Sequence, residues 1–111
     1  MIINLMPHVL VIRSQGAAEV VVQSSGVARC TSITTPAGSH PAGDVDVALT
    51  FVDYGAVEGL PGPALGVLYV VSGLVRAAVP DRRDVASPGE LVRDATGTAI
   101  GCKNLIVNAA R

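Results

Sequence analysis

Tryptophan is absent from this chain, and its aromatic residues reduce to Phe51, Tyr54 and Tyr69. A core built around large rings is thereby excluded. It has to be assembled from Val, Leu, Ile and Ala, which remove less area from water per side chain. Some of that apolar surface is expected to be completed by another subunit, so the chain is expected to form a homo-oligomer. Lysine is equally scarce, with Lys103 alone, and the net charge is -1. No basic excess exists to neutralise a phosphate backbone, which excludes broad nucleic-acid binding but leaves room for a local arginine site.

Further absences narrow the chemistry. Cys30 and Cys102 lie far apart, with no C-x-x-C pair and no histidine at ligand spacing, so a zinc site is not expected. They read as buried free thiols, with a disulfide the lesser alternative. No apolar run approaches the roughly 20 residues that span a bilayer, and residues 1–8 lack a basic segment leading into an apolar one, so the reading is cytoplasmic. G-x-S-x-G, H-E-x-x-H and phosphate-loop patterns are missing, so neither catalysis nor a cofactor is expected. Asp44 and Asp46 share a face if extended, but two carboxylates at that spacing fit an edge strand better than a cation site.

What is present is a chain of 111 residues, half of them apolar. That is enough for one hydrophobic core and too little for two, so residues 1–111 form a single domain. Short extended segments at 2–5 and 9–13 flank a bend at Pro7. His8 at that bend reads as a packed or hydrogen-bonded residue before it reads as a ligand contact. The β-branched runs 19–23 and 27–34 predict a hairpin through Ser24-Ser-Gly26. Residues 35–44, with two prolines and two glycines, predict a mobile loop carrying His40. Alternation over 45–54 predicts a strand with Val45, Val47, Leu49 and Phe51 on one face. A second irregular connection follows over 55–64.

Leu68-Tyr-Val-Val has the continuous apolar character of a strand covered on both sides. Ser72 then caps a short helix that Pro80 stops, with Leu74, Val75, Ala78 and Val79 facing inward and Arg76 outward. Residues 90–94, the turn 95–97 and residues 98–107 predict a hairpin, with Gly97 supplying a positive φ and Gly101 marking a bulge or a close backbone approach. The fold class is a β-rich α+β domain of mostly antiparallel strands with one short helix, compact and oligomeric.

Asn4-Leu-Met-Pro-His8, Leu68-Tyr-Val-Val-Ser72, Val75-Arg76, Val79-Pro80, Arg83-Asp84-Val85, Pro88 and Leu91-Val-Arg-Asp94 through Ile100-Gly-Cys102 together resemble a group of small, mostly uncharacterised phage- and prophage-encoded proteins of high-GC bacteria. The resemblance implies an accessory protein of a mobile element working in the host cytoplasm, with counter-defence a common role. It brings no functional residues with it.

The residues themselves offer one polar cluster, Arg76, Asp81, Arg82, Arg83, Asp84, Arg93 and Asp94. Arginine forks hold phosphates bidentately, and a neighbouring aspartate can orient an arginine or accept from a ribose hydroxyl. The expectation is a binding protein that sequesters a small phosphorylated or nucleotide-like molecule without turnover. Arg76, Arg82, Arg83 and Arg93 would hold phosphates, Asp84 or Asp94 a ribose or an arginine, and Tyr54 or Tyr69 a base. Solvated surface ion pairs are the plainer account of the same residues. The alternative function is a protein-interaction module, an inhibitor of a host protein or a minor virion protein, recognisable by an exposed apolar patch or sheet edge.

Overall fold

The computed structural model describes residues 1–14, 16 and 18–109. Among them ten strands and one helix follow in the order β1 (Ile2–Asn4), β2 (Leu10–Ile12), β3 (Val20–Val22), β4 (Arg29–Ala42), β5 (Val45–Glu58), β6 (Leu68–Val70), α1 (Gly73–Ala78), β7 (Val85–Pro88), β8 (Leu91–Arg93), β9 (Ala99–Cys102) and β10 (Leu105–Val107). They form a first sheet ordered β1-β6-β7-β10, a second ordered β3-β2-β9-β8, and a separate hairpin of β4 and β5. The chain is therefore β-rich with one short helix. Its sheets are mixed: β6 runs parallel to β1 and β7, and β2 parallel to β9, while the remaining pairings are antiparallel.

The apolar run Leu68-Tyr-Val-Val occupies the central place that its composition predicts. Tyr69 and Val71 face one buried cluster with Leu5, Val75 and Val85. Val70 faces the opposite cluster with Met6, Leu10, Ala86 and Cys102. Strand alternation on β6 thus defines three layers: the helix with the base of the β4–β5 hairpin, then the first sheet, then the second. Val70, Val71 and Val85 are wholly buried, and burying each contributes about 2 kcal/mol.

The helix begins where Ser72 Oγ accepts a hydrogen bond from the Val75 N–H at 3.3 Å and ends at Val79, before Pro80. Six residues are too few for an autonomous helix, so buried Val75 is what fixes it to the sheet. Leu74 points to solvent, contrary to expectation. Buried Asn4 holds the chain where β1 ends. Its Nδ2 donates to the His8 and Val22 carbonyls at 2.8 and 3.0 Å, and its Oδ1 accepts from the Met6 N–H at 2.9 Å.

Three expectations about chain path are corrected. No hairpin joins 19–23 to 27–34, because β3 pairs instead with β2, where Leu10 and Ile12 stand opposite Val22 and Val20. Ser24 bridges to Asn4 and carries the chain away from the sheet. Residues 35–44 are not a loop, since β4 continues to Ala42 and the turn lies at Gly43, φ 64°. Pro36 and Pro41 are tolerated because β4 is an edge strand, and a register shift between Pro36 and Ser39 takes up Gly38 at φ 87°. Finally, the expected strand 98–107 breaks at Lys103–Asn104, so that β9 joins the second sheet and β10 the first. Gly97 has φ 83°. A Cβ on Gly101 would stand 3.0 Å from the Val11 carbonyl oxygen, so the close approach predicted there is present.

Candidate functional site

Arg76 and Arg82 of the predicted cluster are bonded into the body, while Arg83 and Arg93 are exposed. Arg76 does not reach outward; it is half-buried, donating from Nε to Ser87 Oγ at 2.8 Å and from Nη1 to Asn108 Oδ1 at 3.1 Å. Arg82 grips Asp84 with both Nε and Nη2 at 2.8 Å, and Nη2 also donates to the Pro61 carbonyl at 2.9 Å. This fork holds the Asp84 carboxyl below its ordinary pKa and raises that of Arg82, against the opposing effect of partial burial. Arg83, with Pro80, Asp81 and Ala109, lines a depression of about 150 Å³.

Arg93 ends β8 of the second sheet and Asp94 begins the turn after it, and their side-chain hydrogen bonds stay within the β8–β9 turn. Arg93 Nη1 donates to the Gly97 carbonyl at 2.8 Å, while Asp94 Oδ1 accepts from the Thr96 hydroxyl and from the Thr96 and Thr98 N–H groups. Those bonds, the Thr96 hydroxyl first, lower the Asp94 pKa. Tyr69 has no face to offer a base: it is 4% exposed and donates from its hydroxyl to the Gly62 carbonyl. Tyr54 stands on β5, opposite Ser32. Of the eight predicted site residues, then, Arg82, Arg83 and Asp84 share the loop between α1 and β7, where the Tyr69 N–H donates to the Asp84 carbonyl at 2.9 Å, whereas Arg76 lies on the helix, Arg93 and Asp94 at the β8–β9 turn and Tyr54 on the arm.

Asn108 organises this region unannounced by any sequence signal. Its Nδ2 donates to the carbonyls of Arg76, Val79 and Arg82 at 3.3, 2.9 and 3.0 Å, tying the helix end and the loop after it to the chain beyond β10. Cys102 is buried and Cys30 half-buried, both as free thiols. Burial raises the Cys102 thiol pKa. A groove of about 480 Å³, lined by Met6, His8, Leu10, Leu91, Ile100 and Cys102 among others, carries no Asp, Glu, Lys or Arg in its wall.

The unsatisfied surface lies on the hairpin. β4 and β5 are 14 residues each and pair only with each other. At the base, Cys30 stands opposite Val57, and both pack against the cluster of Leu5, Val71 and Val85. A Cβ on Gly59, φ +79°, would come within 2.5 Å of the Val27 carbonyl oxygen, so only glycine fits where β5 leaves the body. Beyond the base no other strand or helix among the described residues covers the arm.

Opposed residues of an antiparallel pair share a face, and alternation along β5 sets Val45, Val47, Leu49 and Phe51 together. Their partners across the pair include Ala42 opposite Val45, His40 opposite Val47 and Thr35 opposite Phe51, with Ile33 opposite Asp53 continuing the same face. Ile33 is 57% exposed, Val45 65%, Val47 46%, Leu49 43% and Phe51 65%. Two-stranded hairpins are marginal in water without a cover for their apolar face. The alternation predicted for 45–51 is present, but the face it creates looks outward.

No family model matches this chain, and neither does any curated protein or solved structure. No helix among the described residues is long and apolar enough to cross a membrane, and none of their His, Cys, Asp and Glu side chains gather in threes to hold a metal ion.

Proposed function

We propose that this chain is a non-catalytic binding protein that works by docking its β4–β5 arm on a protein surface, as an inhibitor or as a minor structural subunit. The setting is the one its resemblance to phage and prophage accessory proteins implies. The observation that carries this reading is the outward apolar face of Ile33, Val45, Val47, Leu49 and Phe51. Contiguous exposed apolar surface of this kind marks interaction sites. The pull of the arginine cluster toward a phosphorylated ligand is weakened by the internal bonds of Arg76, Arg82 and Asp84.

Sequestration of a small phosphorylated or nucleotide-like signal is the second reading, favoured by the depression where Arg83 and Asp81 meet Ala109. At about 150 Å³ it is smaller than the roughly 300–1,000 Å³ typical of ligand pockets. Affinity purification from defence-bearing cells separates the two. Arm docking predicts a stoichiometric protein that is retained by the native chain and lost from a Val47→Asp/Phe51→Asp variant. If no such protein appears, and heat denaturation of the purified chain instead releases a nucleotide detected by mass spectrometry, the second reading replaces the first.

A further inference from the structure

The apolar face of the arm needs an occupant, and its size, charge and edges narrow the choice. A folded monomer of 11.3 kDa exposes about 5,700 Å², whereas this chain exposes 7285 Å². The excess, roughly 1,600 Å², is more than the ~800 Å² that each partner contributes to a standard interface. The radius of gyration is 17.3 Å, against about 13 Å for a compact chain of this length. The projecting arm, exposed along Ile33, Val45, Val47, Leu49 and Phe51, contributes to this surplus.

Between Cys30 and Val57 the arm carries no Lys or Arg; Asp44, Asp46 and Asp53 are its only charged residues. Asp44 lies in the turn and Asp46 on the other face, so Asp53 is the one carboxylate on the apolar face. Two such faces can approach each other with little repulsion and equal hydrophobicity. Lateral growth is blunted on one side, because Pro36 and Pro41 interrupt the donors of the β4 edge. A face-to-face contact related by a two-fold axis uses identical patches and closes on itself.

Resting on the reading of the arm as a docking element, we infer that, until a target displaces it, the occupant is a second copy of this chain, its Val45, Val47, Leu49 and Phe51 packed against the same residues of the first. The isologous contact makes a β-sandwich from two hairpins that are each marginal alone. Leu49, in the middle of the stripe, lies near the two-fold axis.

Light scattering coupled to gel filtration tests the inference on the purified chain alone. The native chain is expected at no less than twice 11.3 kDa, the Val47→Asp/Phe51→Asp variant at half the native mass, and Thr50→Asp at the native mass. Thr50 is the discriminating control, because it lies on the same strand with its side chain on the opposite face. Far-ultraviolet circular dichroism checks that the body of each variant is folded, and Leu49→Cys under oxidation is expected to give a covalent dimer in good yield.

A native chain that stays at the mass of one copy at high concentration overturns the inference, as does a Thr50→Asp variant that dissociates as fully as the double variant. The docking reading stands or falls separately, on whether the double variant loses a different protein in cells.

Discussion

Val70 and Val47 are the same residue on strands of the same protein, yet one is fully buried and the other 46% exposed. The body places its valines between layers: Val70 looks toward the second sheet, Val71 and Val85 toward the helix and the base of the arm. The arm has the same aliphatic residues and a longer run of paired strand, with no other strand among the described residues laid over it. Strand pairing satisfies the backbone in both regions, but only the body removes its side chains from water. Stability in one region is thus internal, while in the other the aliphatic side chains remain in water.

The sharpest way to break the comparison is to attack the body through a polar residue. Asn4→Ala leaves the Met6 N–H and the His8 and Val22 carbonyls without their partner in a buried site. A loss on the order of 3–5 kcal/mol is expected, visible as a collapse of the urea midpoint. Gly59→Ala acts at the junction of the two regions, where a Cβ meets the Val27 carbonyl oxygen at a positive φ. A cost of about 2 kcal/mol is expected in thermal denaturation, with the arm base displaced.

Asp84→Asn touches the body's surface and is expected to cost about 1 kcal/mol near neutral pH. Its pH dependence has a definite sign. The folded Asp84 carboxyl titrates below its unfolded value, so the stabilisation is fully present above about pH 4 and is lost as pH falls through the lower folded value. The difference between variant and native chain, followed by urea denaturation, therefore closes in strong acid.

The smallest effect is expected on the arm. In dilute solution Val47→Ala changes stability by less than about 0.5 kcal/mol, against roughly 2–3 kcal/mol for Val71→Ala. At high concentration the two values should draw together as the arm becomes covered. A Val47→Ala cost that is large and independent of concentration would mean that the arm is covered within its own chain.

The local features were legible in the sequence. Ser72 and Pro80 delimit α1, Gly97 makes the β8–β9 turn, and the apolar run at 68–71 forms the central strand, each through a signal contained in a few neighbouring residues. Partner choice was not. The parallel pairings of β6 with β1 and β7, and the union of β3 with β2, depend on segments distant in sequence and leave no local trace. Prolines and glycines at 36–43 argued for a loop because their usual meaning is a break; on an unshared edge that meaning lapses.

Around the candidate site, the partners of the arginines were hidden for a related reason. Arg76 and Arg82 look like ligand-binding residues in sequence, and only the fold supplies Ser87, Asn108 and Asp84 as their partners. Alternation at 45–51 was visible, but alternation shows which residues share a face and says nothing about what covers it.

Arg29 and Glu58 stand opposite each other where the arm meets the body, so the chain leaves and returns at one place. Length can change beyond that point without moving either sheet. One residue added to each strand extends the tip by about 3.4 Å and turns the outer side chains over; two residues extend it by about 7 Å and restore their direction. The arm is a gauge graduated in pairs, whose reach can be altered in even steps while its facing stays the same.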